Sequence, residues 1–253
     1  MAGMTPLQAL LVALAGLGAG AVNAAVGSGT LITFPMLLAV GFPPVVANVS
    51  NNIGLVPGSV AGVFGYRREL RGQRSRLGLL CGASGIGGLA GAGLLLALPT
   101  RTFAAAVPAL IGLAVVLVLA QPLVARRVGA HGPPEREPRW LTAGVTASGI
   151  YGGYFGAAQG VILLGLMGVA LPQDLQRINA LKNAMALTVN LVAGVVFALF
   201  ANRIDWTAAL LIAAGAVVGG RLGAALTRRL PPTAFRLLIA AVGLAAMTTL
   251  VVR

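Results

Sequence analysis

The sequence predicts an all-α polytopic membrane protein: two inverted repeats of about five hydrophobic segments each, with short broken or re-entrant helices near the centre. Three observations carry this reading, namely the composition, the spacing of apolar runs between breakers, and self-similarity at a fixed offset. Of 253 residues, 58% are hydrophobic and 9% charged, and the mean hydropathy is +0.93, far from the balance of a soluble single-core domain. A net charge of +13 would suggest nucleic acid in a soluble chain. Here Lys and Arg sit in short stretches between apolar runs, the pattern of cytoplasmic loops, so the expected partner is the lipid bilayer and not nucleic acid.

Read in order, the apolar runs of the first half are Leu7 to Val26, a short Thr30 to Val40, Val45 to Gly65, Leu77 to Leu98 and Phe103 to Val124. A polar stretch follows, and the series recurs as Trp140 to Phe155, a short Val161 to Ala170, Leu181 to Ala201, Trp206 to Leu226 and Phe235 to Val252. The chain divides into a first membrane repeat (1–125), a cytoplasmic linker (126–139) and a second membrane repeat (140–253).

Sliding the chain by 132 residues keeps identities in one register, as a duplication does and compositional bias does not. Asn51 falls on Asn183, Val60-Ala61-Gly62-Val63 on Val192-Ala193-Gly194-Val195, Gly87-Gly88 on Gly219-Gly220, and Leu98-Pro99 on Leu230-Pro231. Sixteen identities fall within residues 51–103, about 30% where chance in so Ala- and Gly-rich a chain gives about 10%.

Orientation follows from the basic residues, which resist translocation. The loop with Arg67, Arg68, Arg71, Arg74 and Arg76 is expected inside, as are the linker, the stretch with Arg177 and Lys182 between the short run and the third, and the turn with Arg228, Arg229 and Arg236. The second-half counterpart of the Arg67 loop, Asn202 to Asp205, is nearly neutral and expected outside. Equivalent loops then lie on opposite faces, so the repeats are inverted and both termini lie outside.

The two short runs, about 11 residues each, cannot cross ~30 Å of hydrocarbon at ~1.5 Å per residue. Each follows a small-residue break, Gly27-Ser28-Gly29-Thr30 or Ala157-Ala158-Gln159-Gly160, and precedes a proline turn. Paired interruptions at corresponding places point to a transporter's binding site, and the amides opening a half-helix suit an anion. Polar side chains cluster in the next segment: Asn48, Ser50, Asn51 and Asn52 in one half, Asn179, Lys182, Asn183 and Asn190 in the other. Each is costly in lipid and expected to face the interior. The predicted substrate-binding set is therefore Gly27, Ser28, Gly29, Thr30, Asn48, Asn51, Asn52, Gln159, Gly160, Asn179, Lys182 and Asn183. Interhelical hydrogen-bonding glue is the competing account of the asparagines, and a Lys182 that snorkels to the cytoplasmic interface to enforce topology is the competing account of the lysine. Gly87-x-x-x-Gly91 and Gly219-x-x-x-Gly223 read as close-packing faces.

What is missing narrows the chemistry further. The only lysine, Lys182, follows no phosphate-cradling loop. The only histidine, His131, lies in the polar linker, and the single cysteine, Cys81, forms no intramolecular disulfide framework. No catalytic residue, metal site or cofactor is expected, and the chain is not read as an enzyme. Asp174 and Asp205 sit at loop edges, so the sequence offers no deep carboxylate, and coupling to either a proton or a sodium gradient stays open. A passive anion channel or membrane scaffold is the alternative, with a membrane enzyme acting on lipid phosphate further behind.

The runs NAAVGSGTLITFPMLLAVGFPPVVANVSNN, GGYFGAAQGVILLGLMGVALPQDLQRINALKN and GGRLGAALTRRLPPTAFRLLIAAVGLAAM resemble the TauE/SafE sulfite exporter family over nearly the whole chain. Gly27, Gly29, Pro35 and Asn51 occupy the places of the family's Gly-rich break, proline-containing helix and Asn segment. The resemblance implies a bacterial inner-membrane protein that moves sulfite, an organosulfonate or a related small sulfur-containing or organic acid anion as a secondary transporter, alone or as a homodimer.

Overall fold

The computed structural model describes residues 4–125 and 138–226, together with Ala241. Among them the chain forms helices only: α1 (Pro6–Ala25), α2 (Thr30–Val40), α3 (Pro44–Gly65), α4 (Arg74–Ala97), α5 (Thr100–Ala125), α6 (Arg139–Tyr154), α7 (Gln159–Ala170), α8 (Leu175–Phe200) and α9 (Trp206–Leu226). Five of them, α1, α4, α5, α8 and α9, contain stretches long and apolar enough to cross a membrane. The chain is a multi-pass membrane protein. Leucines and valines such as Leu10, Leu14, Leu113, Val116, Leu191 and Val195 are exposed on the outer surface, whereas Ser28, Thr33, Ser50, Asn51 and Lys182 are buried. Apolar side chains on the outer surface, with polar ones held inside, suit a lipid environment. The linker residues 126–137, the last apolar run from Phe235 and the C-terminus lie outside the described residues.

The apolar runs give the helices to within a few residues, with one correction. α8 starts at Leu175, well before the run that opens at Leu181, because Asp174 caps it: the Arg177 amide donates to Asp174 Oδ1 at 2.9 Å. An acidic N-cap satisfies a first-turn amide and favours the helix dipole. Arg177 and Lys182 therefore lie within a helix, not in a turn between segments.

Small residues set how the helices pair. Gly16 and Gly20 of α1 approach the backbone of Ile212 and Ala216 on α9, while Gly219 and Gly223 approach Leu17 and Ala21. Gly87 and Gly91 of α4 meet Thr146 and Ile150 on α6, whose Gly149 and Gly153 meet Ser84 and Gly88 in return. The glycine faces of the first half's fourth helix and the second half's fourth helix thus each receive the first helix of the other half, and glycine lets those backbones touch.

The same contacts fix directions. Numbers rise together from Gly16–Ile212 to Gly20–Ala216 and from Gly54–Ala209 to Gly58–Ala216, so α1, α3 and α9 run parallel. They also rise together from Ser84–Gly149 to Gly88–Gly153 and from Ser84–Met185 to Gly88–Val189, so α4, α6 and α8 run parallel. Between the groups the order reverses: Asn52 pairs with Asn190, while Tyr66, past the end of α3, packs on Ala180 near the start of α8. The repeat-related helices α3 and α8 are antiparallel.

Both short helices fold back on the helix before them. Gly29 lies against Ala19 and Gly18 lies under Ile32, so α2 returns along α1; Gly152 lies against Gln159 and Gly144 under Leu166, so α7 returns along α6. Each pair is a helical hairpin. One hairpin has its base beside the turns at 98–99 and 201–205, with which Pro43 and Val46 share cavity walls. The other has its base beside the Arg-rich loop, where Arg177 Nη2 donates to the Arg71 carbonyl at 3.3 Å. We refer to these ends as the far face and the basic face.

Candidate functional site

The hairpin tips meet. The Gly160 amide donates to the Gly27 carbonyl at 3.1 Å, and a Cβ built on either glycine would stand 2.5 Å from the other's Cα. Gly27 also turns the chain at φ +82°, in the left-handed region that glycine enters without cost. In the second tip that conformation is shared by Gly156 and Ala158, at φ +80° and φ +61°. The break there spans Phe155 to Ala158, and Gln159 and Gly160 already belong to α7.

A hairpin tip exposes two kinds of orphan backbone group, the last carbonyls of the entering helix and the first amides of the returning one. At the first tip the carbonyls are satisfied from α8. Lys182, wholly buried, donates its Nζ to the carbonyls of Ala24 and Ala25, both at 3.4 Å, and Asn183 Nδ2 donates to Ala24 at 3.1 Å. At the second tip Asn48 Nδ2 of α3 donates to the Tyr154 carbonyl at 3.0 Å, and the Tyr151 hydroxyl donates to the Ala157 carbonyl at 2.6 Å. Each tip is held by the third helix of the opposite repeat.

The ammonium thus sits at the negative end of the α1 dipole, where a cation is favoured. Its partners are carbonyls from the other half of the chain, which neighbouring sequence does not reveal. The described acidic residues, Glu69, Asp174 and Asp205, all lie in the loops, so the described interior offers Lys182 no carboxylate partner.

Beside the glycine contact, Ser28 Oγ and Gln159 Nε2 are buried without a hydrogen-bond partner in the protein. One precedes α2 and the other opens α7, so each lies next to the amides that start a returning helix. Buried polar groups normally find partners, and these two are the unpartnered ones that adjoin the Gly27–Gly160 contact. Asn51 is engaged within its own half: its Nδ2 donates to Thr30 Oγ1 at 3.4 Å and its Oδ1 accepts from the Thr33 hydroxyl.

Of the residues expected from sequence, Gly27, Ser28, Gln159, Gly160, Lys182 and Asn183 converge on the paired tips. Gly29 and Thr30 open α2 beside them, with Gly29 pressed on Ala19. Asn48 belongs to the second tip. Asn179 is buried one helical turn before Lys182 and Asn183. Asn52 turns away: its Nδ2 donates to Asn190 Oδ1 at 3.4 Å. Asn190 in turn donates to Ser59 Oγ at 3.2 Å, and Asn23 donates to the same oxygen at 3.3 Å. This chain joins α1, α3 and α8, the glue role weighed for the asparagines. Thr33, Tyr151, Asn23 and Ser59 escaped the sequence reading, although Asn23 inside an apolar run was a visible signal.

A family model described as the sulfite exporter TauE/SafE matches residues 12–250. A Haemophilus influenzae protein named "Probable membrane transporter protein" is 27% identical over 214 residues, covering 83% of this chain and 81% of that one. No solved structure matches. The chain belongs to the TauE/SafE family and is a membrane transporter, not an enzyme.

Proposed function

We propose that this TauE/SafE protein is a secondary transporter of a small anion in the bacterial inner membrane, with its site at the junction of the two hairpin tips and alternating access between the faces. The observation that carries the reading is the pair of buried polar side chains, Ser28 and Gln159, without protein partners and placed on either side of the Gly27–Gly160 contact. The electrostatics point the same way. The carbonyl ends of α1 and α6 are covered by donors from α8, α3 and Tyr151. What remains is the positive ends of α2 and α7 and the charge of Lys182, a field that favours an anion.

The antiparallel course of α3 and α8 supports inverted repeats, with the basic face inside and the far face outside. Two oppositely directed hairpins meeting at mid-depth suit a mechanism in which one bundle rocks against the other. Sulfite, an organosulfonate or a related sulfur-containing or organic acid anion is the expected cargo, in keeping with the family's description. Counterflow in proteoliposomes, with sulfite, thiosulfate, sulfoacetate, taurine and short carboxylates at set pH and sodium, tests this. Saturable exchange of at least one of these anions is expected. Flux that never saturates would mark a channel, and no flux with correctly inserted protein would remove the transporter reading.

A further inference from the structure

At the far face a cavity of about 400 Å³ lies between the α2–α3 turn, the α4–α5 turn and the α8–α9 turn. It adjoins a second of about 720 Å³ that shares Pro43, Val46, Asn202 and Arg203. The smaller cavity has two kinds of wall. One is apolar, built from Pro43, Pro44, Val45, Val46, Leu95 and Leu96; the other holds the guanidinium-bearing residues Arg101 and Arg203. No acidic residue lines it, and neither arginine has a hydrogen-bond or ion-pair partner among the described residues. The first turns of α3 and α5 both open onto it, at Val45 and Val46 and at Thr100 and Arg101, adding two positive helix ends to the two cations. Asn48, which holds the second hairpin tip, lies just beyond Val46 on α3.

From this juxtaposition we propose that the far-face cavity is a peripheral capture site for amphipathic organic anions, in which Arg101 and Arg203 hold the anionic head and the Pro43–Val46 and Leu95–Leu96 wall holds a short apolar tail. Any role of the site in transport rests on the function proposed above, but its occupancy does not. A planar guanidinium with no internal partner is suited to sulfonate or carboxylate oxygens. An inorganic oxyanion would use only half of the site, since it has nothing to set against the apolar wall. Each buried methylene of a tail contributes about 0.8 kcal/mol, so affinity rises with chain length up to the limit of the cavity.

Trp206 lines the larger cavity and provides a readout that does not depend on transport. With Trp140→Phe, it is the only tryptophan, because the chain has two. Full-length Trp140→Phe protein in detergent is titrated with sulfite, methanesulfonate and butanesulfonate while Trp206 fluorescence is followed. Saturable binding is expected, with butanesulfonate at least ~10-fold tighter than sulfite. Arg101→Gln and Arg203→Gln should each weaken butanesulfonate by ~10-fold or more, about 1.4 kcal/mol, and Arg101→Lys should recover part of it. Equal affinity for sulfite and butanesulfonate, or unchanged titrations in both arginine variants, overturns the proposal. So does a signal in nanodiscs that follows anionic lipid content and ignores the sulfonate, which would make the occupant a headgroup. If the titrations behave as expected while counterflow fails, the capture site stands and the transport reading falls.

Discussion

The two hairpin tips occupy equivalent places in the repeats yet are secured by different chemistry. The first is held by an ammonium and an amide from α8, Lys182 and Asn183. The second is held by neutral donors, Asn48 and Tyr151, and by aromatic packing. Phe34 meets Phe155 edge-on at 5.2 Å between centroids, and Phe103 meets Tyr154 at 5.5 Å. In the repeat register the partner of Lys182 is Ser50. Ser50 is also buried, but it serves elsewhere, accepting from the Asp205 amide at 2.9 Å and so tying α3 to the α8–α9 turn. The two hairpins match in form, but the lysine stands on one side only. An anion at the proposed junction site would be attracted mainly from the α8 side, while the second tip supplies shape and neutral donors.

The largest effect on this comparison should come from forcing the tips apart. Gly160→Ala and Gly27→Ala each place a Cβ against facing backbone, and overpacking of this kind typically costs about 1–3 kcal/mol. Gly27→Ala adds the strain of a left-handed residue, roughly 1–2 kcal/mol. Both variants should lose uptake nearly completely and melt at lower temperature in detergent, with Gly27→Ala the less stable. Normal uptake in either would mean that the tips separate during transport without meeting again.

Removing the charge should come next. Lys182→Gln keeps a donor near the α1 carbonyls but takes away the only buried basic side chain among the described residues. The apparent KM for the transported anion should rise about 10-fold or more, about 1.4 kcal/mol if substrate release is fast, while insertion stays intact. Parental KM and rate would reduce Lys182 to a helix cap. A smaller change is expected from Ser28→Ala combined with Gln159→Leu: KM should rise several-fold, and the melting temperature should stay level or increase, since two unsatisfied buried groups disappear. A fall in melting temperature with unchanged KM would assign both to packing. Asn48→Ala should do least to transport and cost about 1 kcal/mol of stability through the freed Tyr154 carbonyl, as measured by thermal unfolding.

Much of this was legible in the sequence because lipid imposes simple rules. Apolar runs between prolines and glycines gave α2 within its observed bounds and α1, α3 and α6 nearly so, and the Gly-x-x-x-Gly spacing anticipated that Gly87/Gly91 and Gly219/Gly223 would serve as packing faces. Gly27 was legible as part of a break, and Gly160 was read into the second one although it already lies in the first turn of α7. Their direct contact was not legible, because it depends on two hairpins entering side by side from opposite ends. Lys182 shows the same limit: its local sequence offers no counter-charge, since its partners are backbone carbonyls more than 150 residues away. Asn51 and Asn183 share a register but not a role. One stays within its own half, and the other reaches across.

The central claim is that the hairpins enter from opposite faces and meet at Gly27 and Gly160. Their bases test it most directly, at Pro43 after α2 and Gln173 after α7. In a Cys81→Ser background, Pro43→Cys and Gln173→Cys are to be labelled separately with a membrane-impermeant thiol reagent, in intact cells and in inverted vesicles. The account expects Pro43→Cys to react only in intact cells and Gln173→Cys only in inverted vesicles. If both react from the same side, the hairpins share a face, the repeats are not inverted, and the junction does not lie between two oppositely facing entrances.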